Sequence, residues 1–336
     1  MSVERLRMVV AGAGSLGCLY GAWAASAGVD VTLVASPRHA GVFERSGLTV
    51  IDLQGRSTRH QPVVARSLSD VQPCDVLLLA TKAQDSHHAL RDLKWQPRAA
   101  WSIQNGAGQA ALLERYFGSA AVGCASMVGG TLKPDGTVRH TFGGSTYVGA
   151  LRTSDPEAVR LVELANGAEA RIVHRVDIDA VMWSKAVLAV AAMGTSILLR
   201  VPYHQVFLNP SAASLFLDLL HEGVSVVRAV GSEPVDLPGP LQVATLVSAS
   251  RAEAIVVMKA VGDAMVASGQ TAVRVSMLQS VESGRSLEHD AVFGYVIETA
   301  RANGVTVPKT EFVHHVARTL DHRAKPASQQ DFERAR

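Results

Sequence analysis

The sequence is poor in cysteine: Cys18, Cys74 and Cys124 are the three in 336 residues. They are widely spaced and lack the close pairs typical of metal sites. The sequence therefore indicates neither a disulfide framework nor a metal site, and we expect three small core thiols.

A large excess of charge of either sign is also absent. Lys and Arg number 32 and Asp and Glu 30, which gives a net charge of +2, and the basic residues are scattered. Nucleic acids and anionic membranes bind clustered basic surfaces, so we expect neither as a partner. With 48% apolar and 18% charged residues, the composition is that of a globular protein with room for two domains.

Long apolar segments are missing as well. Glycines soon interrupt the first apolar run in "MSVERLRMVVAGAGSLG", so we do not expect a signal peptide. The apolar stretch at 186–199 is shorter than the ~20 residues that span a bilayer. These features predict a soluble, cytoplasmic protein.

The first half of the chain alternates short apolar runs with helical patterns. "RMVVAGAG", "VDVTLVAS", "CDVLLLATKA" and "AAWSIQNGAG" read as buried strands, and "SLGCLYGAWAASAG" reads as a helix. Continuous apolar strands separated by helices predict a parallel sheet covered on both faces. The later run "TVRHTFGGSTYVGAL" predicts a hairpin that turns at its glycines.

From about Asp177, helical periodicity dominates to about Leu320. The chain is therefore predicted to combine α/β and all-α parts: a Rossmann-type dinucleotide-binding domain over 1–176, and a helical substrate and catalytic domain over 177–322. The polar tail, 323–336, is expected to fray. We expect the active site in a cleft between the two domains.

Gly12, Gly14 and Gly17 form the pattern G-x-G-x-x-G between the first strand and the first helix. In that context Gly12 permits the tight turn, Gly14 lets a pyrophosphate approach, and Gly17 lets helix and strand pack closely. Ser15 and Leu16 open the helix, whose N-terminus attracts phosphate. All five residues are predicted to bind the cofactor.

The end of the second strand favours NADPH (NADP+) over NADH. An acid about 20 residues past the glycines usually binds the ribose hydroxyls of NAD. Here "VASPRH" places Ser36, Arg38 and His39 in that region, and none of them repels a 2′-phosphate. Arg38 could pair with that phosphate, so we assign Ser36 and Arg38 to the cofactor site.

Two polar residues follow later strands. Lys82 comes after "VLLLAT" and Asn105 after "AWSIQ". Ligands of open α/β sheets bind at the carboxyl ends of the strands, so both are candidate site residues. A solvated loop lysine and an Asn105-Gly106 turn are the alternatives.

Residues 181–200, "VMWSKAVLAVAAMGTSILLR", hold one lysine followed by fourteen residues without formal charge. At helical spacing Lys185, Ala189 and Met193 share one face. Lys185 is either a solvated lysine in the first turn or a catalytic group.

A second group of candidates lies in "SMLQSVESGRSLEHDAVFGYVIETARANG". It predicts a helix that starts near Ser286 and ends before Gly304. Glu288 and Asp290 lie in its first turn. Their ordinary explanation is a favourable interaction with the helix dipole, which stabilises a helix by ~0.3–1 kcal/mol for each acid. Ser276 lies upstream of that turn.

Together these motifs resemble those of the ketopantoate reductase (2-dehydropantoate 2-reductase) family, NADPH-dependent enzymes of pantothenate biosynthesis. The resemblance runs from about residue 6 to 320. It covers the motifs "GAGSLG", "TKAQ", "QNGAG", "GGTLKPDGTVRHTFGG", "WSK" and "SMLQSVESGRSLEHD".

The resemblance implies roles for individual residues. Lys185 matches the general acid that protonates the ketone oxygen, and Glu288 matches a residue that supports it. Ser276 matches a contact to the substrate carboxylate. Lys82 and Asn105 match residues on the nicotinamide and substrate side of the site.

The sequence departs from the family pattern on the substrate face. Ala189 and Met193 stand where the family usually has asparagines that orient the substrate. Ser36 replaces an arginine, Ser280 an acid and Leu287 a threonine. Because a hydrogen-bonding site and an apolar one select very different substrates, we expect another 2-oxo acid, bulkier and more apolar than ketopantoate.

Two other functions stay open on the sequence. A hydroxyacid or opine-type dehydrogenase with two domains would share the glycine loop. A non-catalytic NADP(H)-binding sensor would explain the loss of both asparagines, although Lys185 and Glu288 argue against it. Apolar helical domains often form homodimers, but the sequence does not determine the oligomeric state.

Overall fold

The structure, a computed structural model, describes residues 5–91 and 93–324, without the side chains of 322–324. Of the predicted frayed tail, 325–336 lie outside the described residues. The chain forms two compact units. One contains the chain up to Gln104 and Gly108–Met182; the other contains Asn105–Ala107 and the chain from Trp183 onward.

The first unit is built on a mixed sheet. Its described strands are β1 (Arg7–Ala11), β2 (Asp30–Val34), β3 (Leu48–Ile51), β4 (Ser57–His60), β5 (Val63–Ala65), β6 (Val76–Leu79), β7 (Ala99–Ser102), β8 (Ala121–Leu132), β9 (Thr137–Ala150) and β10 (Ile172–His174). They lie in the order β4-β3-β9-β8-β7-β6-β1-β2-β5, and β10 pairs with β9. Pairing is parallel from β8 through β7, β6, β1 and β2 to β5. The predicted Rossmann-type sheet is therefore confirmed.

Helices accompany this sheet as predicted. They are α1 (Ser15–Ser26), α2 (Pro37–Ser46), α3 (Ser86–Leu90), α4 (Gln109–Phe117) and α5 (Pro156–Leu164). Strands β6 and β7 are buried at every position because their apolar side chains are covered on both faces. Tyr20 and Trp101 pack edge to face in the core, 5.4 Å between ring centroids, and the Tyr20 hydroxyl is hydrogen-bonded to Ser126, 2.8 Å away.

The predicted hairpin at residues 137–151 is wrong. Those residues form one long strand, β9, and the turn lies earlier, where Gly136 has φ +84°. The glycines that suggested a turn lie within β9 beside an irregularity in its pairing with β8. A Cβ at Gly144 would stand 2.1 Å from the Met127 carbonyl oxygen, so glycine there permits close contact between strands.

The second unit is helical, as predicted. Its helices are α6 (Ile178–Leu199), α7 (Tyr203–Leu208), α8 (Pro210–Ala229), α9 (Val243–Ser248), α10 (Arg251–Ala267), α11 (Ser276–Glu282), α12 (Tyr295–Ala302) and α13 (Pro308–Ala324). A π-helical turn, Asp290–Gly294, leads into α12. The helix predicted from Ser286 thus begins a few residues later and with a wider turn. Phe207, Phe216 and Phe293 lie fully buried in the core of this unit.

Helix α6 corrects the expectation that no segment is long enough to span a membrane. It has 22 residues and, by length and composition alone, passes that test. However, 72% of its most apolar window is buried inside the protein, which is typical of a core helix. It starts in the first unit and continues into the second, whereas the predicted domain boundary at 176/177 stays a prediction.

Candidate functional site

Close backbone contact shapes the turn between β1 and α1. Gly12 has φ +113°, and a Cβ there would stand 2.5 Å from the Thr81 amide nitrogen. A Cβ at Gly17 would stand 2.0 Å from the Gly12 carbonyl oxygen. Only glycine allows α1 to start so close to the ends of β1 and β6.

Gly14 caps α1 and faces open space. Its φ is −81°, and a Cβ there would meet no atom within 4 Å among the described residues. No described side chain caps the first turn, which Ser15 and Leu16 open, and the turn carries no acid. The N–H groups of a first helical turn lack partners within the helix and carry partial positive charge. This geometry fits a pyrophosphate group.

The end of β2 lies beside this turn. The amides of Gly12 and Ala13 both donate to the Val34 carbonyl, at 3.1 and 3.0 Å. Ser36 then occupies the N-cap position of α2 without a capping hydrogen bond from its side chain. Arg38 is exposed in the first turn of that helix, and the turn has no acid. The glycine turn and the Ser36–Arg38 segment are therefore held next to each other, as a dinucleotide site requires.

Lys82 follows β6, half-buried, where the sequence placed it. Gln104 is a neighbour that the sequence analysis missed. Its Nε2 donates to the Thr81 carbonyl at 2.7 Å and to the Ser86 hydroxyl at 2.9 Å. Gln104 thus joins the carboxyl ends of β7 and β6. The signal was available, because Gln104 is the first polar residue after a buried strand.

Asn105 belongs to the second unit, although it directly follows Gln104. Gly106 has φ +102°, and a Cβ there would stand 2.3 Å from the Ala291 carbonyl oxygen. The segment 105–107 therefore packs on the π-helical turn. That turn starts close to Glu288, whose carbonyl accepts the Val292 amide at 3.0 Å.

Lys185 is half-buried on α6, and both preceding residues are anchored. The Trp183 ring stacks, tilted, on Tyr295 at 6.1 Å between centroids. The buried Ser184 hydroxyl accepts the Val235 amide at 2.8 Å. These contacts fix the turn of helix from which Lys185 projects.

The face of α6 beyond Lys185 is apolar. Ala189 is half-buried one turn along, and Met193 is 8% exposed one turn further. Thr195 and Ser196 are fully buried, and their hydroxyls have no hydrogen-bond partner among the described residues.

The loop before the π-helical turn holds Glu288. Leu287 is 4% exposed, so its side chain lies in the core. Its amide donates to Asp321 Oδ1 at 2.9 Å. Glu288 is half-buried, whereas Ser276 is exposed at the start of α11. The roles of both residues stay predictions.

The cysteines lie in the core. All three are buried and none forms a disulfide, which confirms the predicted core thiols. Burial raises the pKa of Cys18 and Cys74 to about 12, because a thiolate is poorly solvated there.

Comparison with known sequences identifies both units. Residues 8–153 match the family model described as ketopantoate reductase PanE/ApbA, and residues 177–321 match the C-terminal model of that family. The 2-dehydropantoate 2-reductase of Pyrococcus abyssi is 25% identical over 308 residues, 90% of this chain and 94% of that protein. The one from Halobacterium salinarum is 27% identical over 310 residues, 90% and 95%.

Solved structures show the same fold. A PanE/ApbA family ketopantoate reductase from Ralstonia eutropha superposes with a TM-score of 0.77 at 22% identity, over 95% of this chain and 99% of that chain. A D-mandelate dehydrogenase, solved with NADH and anilino(oxo)acetate, gives a TM-score of 0.79 at 18% identity, over 95% and 99%.

Two glycine variants test the dinucleotide turn. Gly14→Ala should leave the melting temperature unchanged, since its Cβ meets open space, but weaken binding of the nicotinamide dinucleotide, with NADPH as the probe, at least about tenfold, or ~1.4 kcal/mol. Gly12→Ala should instead destabilise the protein by about 1–3 kcal/mol or more, because its backbone would be strained. Thermal denaturation and NADPH fluorescence titration measure the two effects. Normal NADPH binding by Gly14→Ala would place the phosphates elsewhere.

Proposed function

The chain belongs to the ketopantoate reductase family, and we propose that it reduces a 2-oxo acid to the 2-hydroxy acid with NADPH. The family consists of oxidoreductases that bind a nicotinamide dinucleotide and act on small 2-oxo acids. One observation carries the assignment to this chain: Lys185 stands at the head of an apolar helix face, on a turn anchored by Trp183 and Ser184.

The reaction needs a hydride donor and a proton donor. NADPH, held by the glycine turn and the Ser36–Arg38 segment, would supply the hydride. The carbonyl oxygen gains negative charge as the hydride arrives, and the Lys185 ammonium neutralises it by donating a proton. We assign Glu288 to orienting Lys185, and Ser276 to holding the substrate carboxylate.

We assign Lys82 and Asn105 to the nicotinamide and substrate side of the site. Gln104 supports this assignment, because it bonds to the Thr81 carbonyl and to the Ser86 hydroxyl, one on each side of Lys82. Gly106 supports the assignment of Asn105, because the close contact between Gly106 and Ala291 fixes the backbone next to Asn105.

The apolar face beyond Lys185 supports a substrate other than ketopantoate. Ala189 and Met193 cannot hydrogen-bond a hydroxyl group, and burying that group without a partner costs ~1–3 kcal/mol. A phenyl or large alkyl group would instead gain by contact with them. The D-mandelate dehydrogenase of this fold was solved with anilino(oxo)acetate, a compound that carries a phenyl ring. We therefore propose an aryl or bulky alkyl 2-oxo acid.

NADPH is the proposed cofactor because of Ser36 and Arg38. No acid lies in the first turn of α2 to repel a 2′-phosphate, and the exposed Arg38 guanidinium can pair with it. The D-mandelate dehydrogenase of this fold was solved with NADH, so NADH is the alternative cofactor.

We also propose a cytoplasmic location, which the three free and buried cysteines favour. A role in pantothenate biosynthesis would follow if ketopantoate proved to be the preferred substrate. A homodimer stays a prediction.

Replacement of Lys185 tests the proton donor. Lys185→Ala should lower kcat by roughly 10²–10⁴-fold while leaving the Kd for NADPH within about twofold. Lys259→Ala is the matched control, since that lysine is exposed on α10 and pairs with Asp263 in the same unit. Oxidation of NADPH at 340 nm provides the rate. Unchanged turnover in Lys185→Ala would contradict the mechanism, and a wild-type protein that binds NADPH but turns over no 2-oxo acid would favour the sensor.

A substrate panel tests the apolar face. Wild-type protein should reduce phenylglyoxylate with a kcat/KM about tenfold or more above that for ketopantoate. Ala189→Asn should raise the ratio of ketopantoate to phenylglyoxylate efficiency roughly 3- to 10-fold by adding one hydrogen bond. Leu188→Asn, at a half-buried neighbour on another face of α6, is the control and should not shift the ratio. A wild-type kcat/KM for ketopantoate near ~10⁵ M⁻¹s⁻¹ would refute the proposed change of substrate.

Replacement of Arg38 tests whether the protein prefers NADPH to NADH. Arg38→Ala should raise the KM for NADPH roughly 10- to 100-fold, because it removes a charge-assisted pair with the 2′-phosphate. The KM for NADH should change by less than about twofold. Arg45→Ala, in the last turn of the same helix, should affect neither cofactor. Equal losses with both cofactors would mean that Arg38 does not read the 2′-phosphate.

A further inference from the structure

Two histidines and an aspartate meet where the π-helical turn approaches α13. His289 Nδ1 lies 3.0 Å from Asp290 Oδ1, and His314 Nε2 lies 2.8 Å from the same oxygen. All three potential ligand atoms lie within 4.8 Å of one another. We propose that His289, Asp290 and His314 bind a divalent cation of the zinc type. His314 is 24 residues from Asp290 in the sequence, so no sequence motif indicates this site and none was predicted.

The donor set and its spacing suit zinc. Imidazole nitrogen and carboxylate oxygen bind Zn²⁺ at 2.0–2.2 Å in a tetrahedral arrangement, which separates two ligand atoms by about 3.3 Å. The separations of Asp290 Oδ1 from His289 Nδ1 and from His314 Nε2 are only a few tenths of an ångström shorter. The Asp290 side chain is 77% exposed and can make this adjustment. Three protein ligands leave the fourth position to water.

Asp321 supplies an independent feature of a metal site. Its Oδ2 lies 3.7 Å from His289 Nε2, the nitrogen that faces away from the other two ligands. Its Oδ1 accepts the Leu287 amide at 2.9 Å, and the residue is 6% exposed. At 3.7 Å the pair is too long for a hydrogen bond, and a movement of about half an ångström would let this carboxylate accept from the ring, orient it and strengthen its bond to the metal.

The metal would join two elements of the second unit. His289 and Asp290 lie at the start of the π-helical turn, and His314 lies on α13. Wide turns of this kind are frequent at functional sites. Bound Zn²⁺ would hold the residue directly after Glu288 against α13. This proposal does not rest on the proposed reaction.

Calorimetric titration of the untagged, EDTA-treated full chain with ZnCl₂, without dinucleotide or substrate, tests the site. We expect one saturable site with a Kd of about 10 µM or tighter and a melting temperature raised by the metal. His314→Gln and Asp290→Asn should each weaken binding at least about tenfold. Asp290 is largely exposed, so Asp290→Asn should fold normally even if His314→Gln does not.

His315→Gln is the matched control, because His315 is the exposed neighbour of His314 on the same helix. It should bind Zn²⁺ like the wild type. Asp321→Asn should weaken binding about tenfold or more through the ring of His289. Absence of saturable binding, or equal affinity in wild type, His314→Gln and Asp290→Asn, would overturn the proposal. In that case the three side chains are only a hydrogen-bonded link between the turn and the helix.

Discussion

The first unit depends on the contact between the start of α1 and the turn before it. Gly17 lies against the Gly12 carbonyl so closely that any side chain would collide with it. Because of that contact, the N-terminus of α1 faces the open space beside Gly14. The amides of a first helical turn, which lack partners within the helix, can bind phosphate there. The amides of the same turn bond to Val34, which brings the end of β2 alongside. One steric constraint thus positions both the turn that we propose to bind phosphate and the segment that we propose to distinguish NADPH from NADH.

In the second unit, Lys185 is positioned by residues around it. Trp183 and Ser184 fix its turn of α6 through Tyr295 and the Val235 amide. Holding a lysine on an immobilised turn lowers the entropy lost when it meets a substrate oxygen. The helix face beyond Lys185 is apolar, with Ala189 half-buried and Met193 8% exposed. In the function proposed above, Lys185 therefore donates the proton while this face selects the substrate.

The π-helical turn and the residues that flank it contact several neighbouring elements. Ala291 contacts Gly106, and Tyr295, just after the turn, contacts Trp183. His289 and Asp290 meet His314. A wide turn displaces side chains relative to an ordinary helix, and this lets one short segment reach the 105–107 loop, α6 and α13. We therefore expect substitutions in this turn to alter the positions of both Asn105 and Lys185.

The sequence by itself determined the buried strands β1, β2, β6 and β7, the glycine turn and the shared face of Lys185, Ala189 and Met193. These depend on steric preferences and periodicity, which are local. Only the tertiary structure decided that Gly144 lies within a strand and that Gln104 joins β6 to β7. Only it placed segment 105–107 in the second unit and His314 beside His289. Such contacts join residues distant in the chain, and no local preference encodes which distant backbone or side chain will fill the space.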